Sequence, residues 1–389
     1  MNSGGAGRAK KPRIAVSAGE VSGDQIAASM IGALKKRWPD AEFFGIGGAA
    51  MAAAGARIWW PMEKLSVMGY VEVLRRFWEI LKIRRAFFKR LLLEKPDLFL
   101  GVDAPDFNMP LETKLRAAGI RTAHCVSPSV WAWRGGRIRK IGRAVKKMLL
   151  LFPMETPIYE KAGIPACFVG HPLADQIPLQ TDKKAVREIL RLPQDVPIYA
   201  LLPGSRQGEV ARLGGIFAET AKKIHEAQPD AIFLTPFVTR ATRLMFEAIL
   251  YKHGADTLSW RLLFGHAREA LGAADAVLVA SGTAALEAAL IKRPLVIAYK
   301  LAPLTYRWVR RRLYLPYVGL PNILAGRFLV PEFLQDAATP DALAAALLAE
   351  NTKERAACLE EDFTRIHEAL RQGMADRAAE CLAGELDGL

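Results

Sequence analysis

The chain contains no apolar run of the roughly 18–20 residues that a membrane-spanning helix needs, so no spanning segment is expected. Its first residues, MNSGGAGRAKKPR, are polar and basic with no apolar stretch behind them, which argues against a secretory signal. There are only four cysteines, Cys125, Cys167, Cys358 and Cys381, all far apart. That spacing offers no metal motif and no disulfide framework, and it fits the cytosol. No D-x-D occurs, no H-x-x-x-H and no Cys/His cluster, so no catalytic metal is expected. Neither G-x-G-x-x-G nor G-x-x-x-x-G-K-[ST] can be read, which removes the two commonest phosphate loops. No cofactor is implied.

Acidic residues are scarce in one part of the chain. The net charge is +14, from 54 Lys and Arg against 40 Asp and Glu. Residues 1–172 hold 28 basic against 14 acidic side chains, and the remainder holds 26 of each. The whole excess lies in the first half, which should therefore meet something anionic. A hydrophobic content of 51% excludes a disordered chain.

What is present is a series of strand-length apolar runs separated by helical patterns. RIAVSA, EFFGIG, DLFLGVD, RTAHCVS and KMLLLF fall in the first half, and PIYALLPGS, AIFLTPF, AVLVAS and PLVIAY in the second. Strands that are apolar throughout indicate parallel sheets covered on both faces. Two such sets in series predict two doubly wound α/β domains, residues 1–172 and 173–350. Residues 351–389 form an Ala-, Leu- and Glu-rich helical tail that either closes the second lobe or crosses back to the first. Ligands of such sheets bind beyond the carboxyl ends of the strands.

Two strand ends of the second half suit an anion. LLPGSR supplies Gly204 for a tight turn, a Ser205 hydroxyl and the Arg206 fork for phosphate oxygens. ASGTAALEAAL turns through Ser281, Gly282 and Thr283 into a helix whose first N–H groups and dipole favour negative charge. Glu287, further along that helix, is within reach of ribose hydroxyls. For each turn alone, a capping Ser281 and a surface Glu287 would be the bland alternative.

In the first half, LFLGVDAPDFN ends a strand with Asp103, a carboxylate placed to take a proton from a hydroxyl, and Asp106 can brace that loop. The glycine-rich turn SAGEVSGD carries Glu20 and Asp24 instead of a cation. It is expected to hydrogen-bond sugar hydroxyls or tune the base. His171, in GHP, reads as structural.

Leu65 to Lys95 repeats Val67, Val71, Leu74, Trp78, Leu81 and Phe88 at helical spacing among Arg75, Arg76, Lys82, Arg84, Arg85, Lys89 and Arg90, next to Met68. A basic amphipathic helix of this kind suits an anionic membrane surface or an acyl-chain groove, although AFFKRLLL reads equally well as core. Ser127 to Ile141 joins Trp131 and Trp133 to Arg134, Arg137, Arg139 and Lys140. Without an RNA-binding motif, a sugar- and anion-binding loop is the better reading than nucleic-acid binding.

AGEVSGD, FFGIGGAAM, LSVMGYVEVL, GVDAPDFN, SPSVWAWRGGRIRKI, LLFPMETPIY, FVGHPLAD, LLPGSR, ASGTAALEAAL and LPNILAGRFLVPEFLQ, in this order, resemble the lipid-A-disaccharide synthase family. The resemblance implies the glycosyltransferase-B architecture, two Rossmann-like domains facing across a cleft. It implies an inverting, metal-independent transferase that joins UDP-2,3-diacylglucosamine to 2,3-diacylglucosamine 1-phosphate (lipid X) by a β-1,6 bond and releases UDP. Such enzymes sit peripherally on the cytoplasmic face of the inner membrane of Gram-negative bacteria. By the same resemblance Asp103 is the base, Arg206 meets the diphosphate and Glu287 the ribose, and Asn322 and Arg327 belong to the active site. The alternatives are another inverting UDP-sugar transferase with a lipid-linked acceptor, a UDP-sugar epimerase, a nucleotide-sugar sensor without turnover, or a nucleic-acid-binding protein using the basic half. Acyl length and oligomeric state are left open.

Overall fold

The computed structural model describes residues 11–65, 70–131, 135–280, 282–302, 306–307 and 314–387, and of 70–77 the backbone alone. Val67, Met68 and Ser281, and the side chains of Val71 and Leu74, lie outside what is described. The chain forms two compact units, Met1–Asp175 with Leu370–Leu389, and Gln176–Ala369.

The first unit is built on strands β1 (Arg13–Ala18), β2 (Glu42–Gly47), β3 (Arg57–Pro61), β4 (Leu98–Val102), β5 (Arg121–Cys125), β6 (Lys147–Leu150) and β7 (Ala166–Phe168). They pair in parallel in the order β3-β2-β1-β4-β5-β6-β7. The second is built on β8 (Ile198–Leu202), β9 (Ile232–Phe237), β10 (Trp260–Phe264), β11 (Ala276–Ala280), β12 (Leu295–Tyr299) and β13 (Glu332–Leu334), in the parallel order β10-β9-β8-β11-β12-β13. Central strands are buried along their whole length, as β4, β8 and β11 show. That burial is why they read as unbroken apolar runs. In each sheet the order reverses once, between β1 and β4 and between β8 and β11.

Helix Lys353–Leu370 ends as the chain leaves the second unit, and helix Met374–Leu386 belongs to the first. Met374, Ala378, Leu382 and Leu386 of that last helix join Met30 and Leu34 of helix Val21–Arg37 in the core over β1. The Asp175 carboxylate accepts from the N–H groups of Gly373 and Met374 at 2.9 and 2.7 Å, capping the last helix. The His171 N–H donates to the Leu370 carbonyl at 2.9 Å, and the buried His171 ring rests on Phe152, with its pKa pushed down to about 4 by burial. Docking of this helix also brings Cys381 against Cys167, with Cα atoms 6.5 Å apart, and the two form a disulfide. This corrects the expectation that no cysteines pair. Their partnership across 214 positions is created by the last helix and leaves no spacing signal.

The later half of helix Tyr70–Glu94 is core: Ile83, Phe87 and Leu91 are buried against Phe44 and Phe99. Its opposite side presents Trp78, Lys82, Arg85, Lys89 and Leu93 to solvent, with Trp78 68% and Leu93 83% exposed. No described helix is long and apolar enough to cross a membrane.

Gly170 tests the docking of the last helix. It adopts φ +87°, and a Cβ there would lie 2.6 Å from both the Gln372 Cβ and the Leu370 carbonyl oxygen. Gly170→Ala should lower stability by about 1–3 kcal/mol, read as a fall in the urea midpoint. An unchanged midpoint would mean that this segment yields without cost.

Candidate functional site

The first unit concentrates strain at the reversal of its strand order. Asp103 (φ +54°) and Ala104 (φ +44°) follow β4, and Val126 (φ +78°) follows β5. None is glycine, and Val126 is β-branched, so each position is costly unless its surroundings over-determine it. The supports are visible. The Asp103 N–H donates to the Cys125 carbonyl at 3.0 Å, and Asn108 Nδ2 donates to the carbonyls of Asp103 at 2.9 Å and Ser17 at 3.2 Å. Pro105, at the first turn of helix Pro105–Ala117, fixes the chain direction after the turn.

SAGEVSGD packs directly onto this turn. A Cβ on Gly19 would meet the Ala104 Cβ at 2.7 Å, and one on Gly23 would meet the Asp103 Cβ at 3.4 Å. The glycines therefore serve close approach to the Asp103 turn. The Asp24 carboxylate faces inward and accepts from the N–H groups of Gly48, Ala50 and Met51 at 2.7, 2.9 and 3.3 Å. It is 3% exposed and caps helix Ala49–Ala53, which corrects the expectation that it meets a sugar or tunes the base. Glu20 remains exposed at the neighbouring strand end.

Beside Asp103 opens a pocket of 340 Å³, walled by Asp106, Val126, Ser127, Ser129, Val130 and Arg137 among others. Arg137 pairs with Asp106 at 3.4 Å, and Arg84 donates to the Asp106 carbonyl at 3.3 Å, so Asp106 braces the rim. Ser127, Ser129 and Arg137 come from the Trp-rich basic segment, which thus supplies a hydroxylated and cationic wall opposite a carboxylate. Underneath lies the fully buried pair Glu112–His124, 2.7 Å apart, with the Glu112 pKa raised by burial against the pull of His124.

In the second unit the two strand ends differ in what they leave open. Gly204 has φ +127°, and a Cβ there would come 2.4 Å from the Glu209 Cβ. Glu209 Oε2 accepts from the N–H groups of Ser205 at 3.0 Å and Arg206 at 3.2 Å, closing the start of helix Gln207–Ala227. Those amides are occupied by the chain's own carboxylate, a role not visible in the motif. The Arg206 guanidinium remains outward, 68% exposed and 3.8 Å from Glu209. After β11, Gly282 (φ +135°) leads into helix Thr283–Leu290, whose start has no side-chain cap and no acidic residue in its first turn. Among the described residues no carboxylate occupies this N-terminus, as Glu209 does the other. Glu287 is mostly buried and held by Arg268 at 3.2 Å, with its pKa raised by burial against the opposing charge of Arg268. Arg268 in turn donates to Gln176 at 2.6 Å.

Asn322 and Arg327 lie apart from these turns in bonding. Asn322 is fully buried. Its Oδ1 accepts from Leu329 and Val330 at 2.7 and 2.9 Å, and its Nδ2 donates to the Val330 carbonyl and to Glu332 at 2.9 and 2.7 Å. It clamps the loop entering β13. Arg327 is 56% exposed and pairs with Asp362 at 2.5 Å.

Two parallel units of this kind define the glycosyltransferase-B class. Solved structures share the fold: a UDP-GlcNAc 2-epimerase from Neisseria meningitidis bound to UDP-GlcNAc (TM-score 0.63, 10% identity, 98% of this chain and all of that one) and MurG from Acinetobacter baumannii (TM-score 0.56, 13% identity, 96% and 100%). The family model described as lipid-A-disaccharide synthetase matches residues 14–386. Lipid-A-disaccharide synthase of Dechloromonas aromatica (strain RCB) is 61% identical over 376 residues, covering 95% of this chain and 98% of the relative. The enzyme of that name from Azoarcus sp. (strain BH72) is 54% identical over 370 residues, covering 95% and 94%. The chain belongs to the lipid-A-disaccharide synthetase family.

The bonding pattern separates Asn322 from Arg327. Asn322→Ala would strand two buried N–H groups and the Glu332 carboxylate, and should cost about 2–4 kcal/mol in a urea unfolding measurement. Arg327→Ala should change stability by no more than about 0.5 kcal/mol. A stable but inactive Asn322→Ala would instead place Asn322 on the substrate.

Proposed function

We propose that the chain forms the lipid A disaccharide, transferring a 2,3-diacylglucosamine unit from UDP to the 6-hydroxyl of 2,3-diacylglucosamine 1-phosphate with inversion and release of UDP. The observation that carries this reading beyond family membership is the placement of complementary chemistry at the two strand-order reversals. One presents a carboxylate on a strained turn beside a pocket, and the other an outward guanidinium and an uncapped helix start.

In this reading the acceptor sugar occupies the pocket beside Asp103. A primary hydroxyl is a weak nucleophile until its proton is being removed, and the Asp103 carboxylate takes that proton as the oxygen attacks the anomeric carbon. Asp103 lines this pocket, and the hydrogen bonds from Asn108 and to Cys125 hold its strained turn without reorganisation. As the bond to UDP breaks, charge grows on the diphosphate. Arg206 and the N–H groups at Gly282–Thr283 stabilise it, with Gly204 and Ser205 shaping the first turn and Glu287 reaching the ribose. This supply of positive charge makes the reaction independent of a metal ion. Glu20, at the strand end next to Asp103, hydrogen-bonds acceptor hydroxyls.

The exposed stripe of Trp78, Lys82, Arg85, Lys89 and Leu93 supports peripheral attachment to an anionic inner-membrane surface, and the sequence positions Val67, Met68, Val71 and Leu74 are assigned to the acyl chains.

Asp103→Asn keeps shape and hydrogen bonding but removes basicity. It should lower kcat by about 10²–10⁴-fold while UDP affinity, measured by calorimetry, stays unchanged. Near-normal turnover would reassign the base, and a loss of UDP affinity would contradict the assignment of UDP to the second unit. Co-sedimentation with anionic vesicles should weaken as salt rises, because surface charge is screened over about 8 Å at physiological ionic strength. Serine replacement of Val67, Met68, Val71 and Leu74 should increase the fraction recovered without detergent, and unchanged recovery from a folded protein would place these residues in the core.

A further inference from the structure

Behind the pocket wall lies a carboxyl group with no part in the reaction described so far. Glu155 ends the short turn Pro153–Glu155 after β6 and is 1% exposed. Its Oε2 accepts from the Phe152 N–H at 3.2 Å. It is also hydrogen-bonded by the side chains of Ser127, which lines the pocket beside Asp103, and of Trp131, which directly follows the lining residue Val130. Ser127 Oγ is 2.7 Å from the Tyr159 hydroxyl, so serine, tyrosine and glutamate form one buried network.

The groups facing Glu155 explain its state. Tyr159, on helix Thr156–Lys161, is pushed up by burial and by the Glu155 charge. The Cys125 thiol, on β5, is pushed up to about 12 by burial, with Asp103 and Glu155 both adding to the effect, so this thiol feels the two carboxyl groups together. His171, tilted against Phe152, is uncharged near neutrality because burial lowers it to about 4. Among the described residues no cation pairs with Glu155. Burial therefore pushes its pKa up to about 8, against the pull of its hydrogen bonds. As an acid it offers one O–H to the network while accepting from the Phe152 N–H and the Trp131 indole. Ionised, it loses that donor and places an uncompensated charge behind the pocket.

We propose that Glu155 is a positioning residue that fixes the Ser127–Trp131 wall of the acceptor pocket, and that its ionisation sets the alkaline limit of acceptor use. The kinetic part rests on the reading of the Asp103 pocket as the acceptor site, and the structural part does not. The sign follows from the direction of the shift. The neutral form is the folded form, so the wall is intact below about pH 8 and loosens as pH rises through that value.

The test begins without turnover. The protein is labelled with 5-fluorotryptophan, the Trp131 resonance is assigned by its loss in Trp131→Phe, and the wild type is titrated by fluorine NMR from about pH 6 to about 9.5. The Trp131 signal should move with a midpoint near 8 and be flat in Glu155→Gln. A flat wild-type signal, or one that still titrates in Glu155→Gln, overturns the proposal, and the wild-type arm decides even if the variant does not fold. In the kinetic arm, kcat/KM for acceptor should fall above pH 8 in the wild type while KM for donor holds. Glu155→Gln should match wild type within a few-fold at pH 7 and lack the fall. A large loss at pH 7 in folded Glu155→Gln would mean that the carboxylate itself is required, and would sink the positioning role. Absence of any wild-type turnover would instead count against the proposed reaction, with the NMR result standing on its own.

Discussion

A parallel sheet covered on both faces leaves its strand ends as the accessible part of its backbone, and a strand-order reversal is where neighbouring turns diverge enough to admit a ligand. Both units obey this constraint, and the rest of the site depends on it. In the first, β1 and β4 run side by side with Ala18 opposite Val102, so the Gly19–Glu20 turn and the Asp103 turn emerge together. Two turns leaving adjacent strands in the same direction compete for space. Glycine at 19 and 23 resolves the competition on one side, and left-handed backbone at Asp103 and Ala104 resolves it on the other. An acidic glycine-rich turn after a first strand thus has a mechanical purpose, and Asp24 anchors it by capping a neighbouring helix.

The second unit meets the same constraint with opposite electrostatics. Its β8 turn is self-satisfied, because Glu209 neutralises the amides that an anion would otherwise seek. At its β11 turn, among the described residues, neither a side-chain cap nor an acidic residue in the first turn closes the helix that follows. If the diphosphate binds as proposed, this asymmetry gives it a direction. One end meets a flexible guanidinium and the other a fixed set of N–H groups, which differ in how far they can follow a charge that moves during reaction.

Much of this was legible in the sequence, and the omissions share a cause. Every interior strand except the short or edge elements appeared as an apolar run. The strands that escaped notice, RIWWP, ACF, WRLLF and EFL, are β3, β7, β10 and β13, the four sheet edges. Edge strands are covered on fewer sides and carry intermediate exposure, so the unbroken apolar signal is absent. The turns at the strand ends were readable because a parallel sheet dictates where its loops emerge. Partnerships between distant segments were not: Cys167 with Cys381, Asp175 with Gly373, Asn322 with Glu332. Each joins residues far apart in the chain or in a loop without periodicity, and only tertiary placement makes them specific. Glu155 is the extreme case, since Glu is among the residues least often buried and a pattern-based reading leaves it outside.

Burial of acids in the first unit also changes what its charge means. The count of +14 for residues 1–172 gives every carboxyl a full negative charge. Glu155 is neutral below about pH 8, and the Glu112 carboxyl, enclosed with His124, is shifted in the same direction. A neutral Glu155 makes the unit one charge more positive than its composition states. The cations, in contrast, stay at the surface: Lys82, Arg85 and Lys89 face solvent on the helix that buries Ile83, Phe87 and Leu91. Fields of exposed charges decay over about 8 Å at physiological ionic strength, so position matters as much as sum. Placing bases outward and neutral acids inward strengthens the attraction felt by an anionic surface at short range, while the core avoids the desolvation cost of unpaired carboxylates. The same partition leaves the carboxylates of Asp103, half-exposed at a strand end, and Asp106, on the rim, at the pocket, and the proposed reaction uses the first of them to take a proton from a hydroxyl.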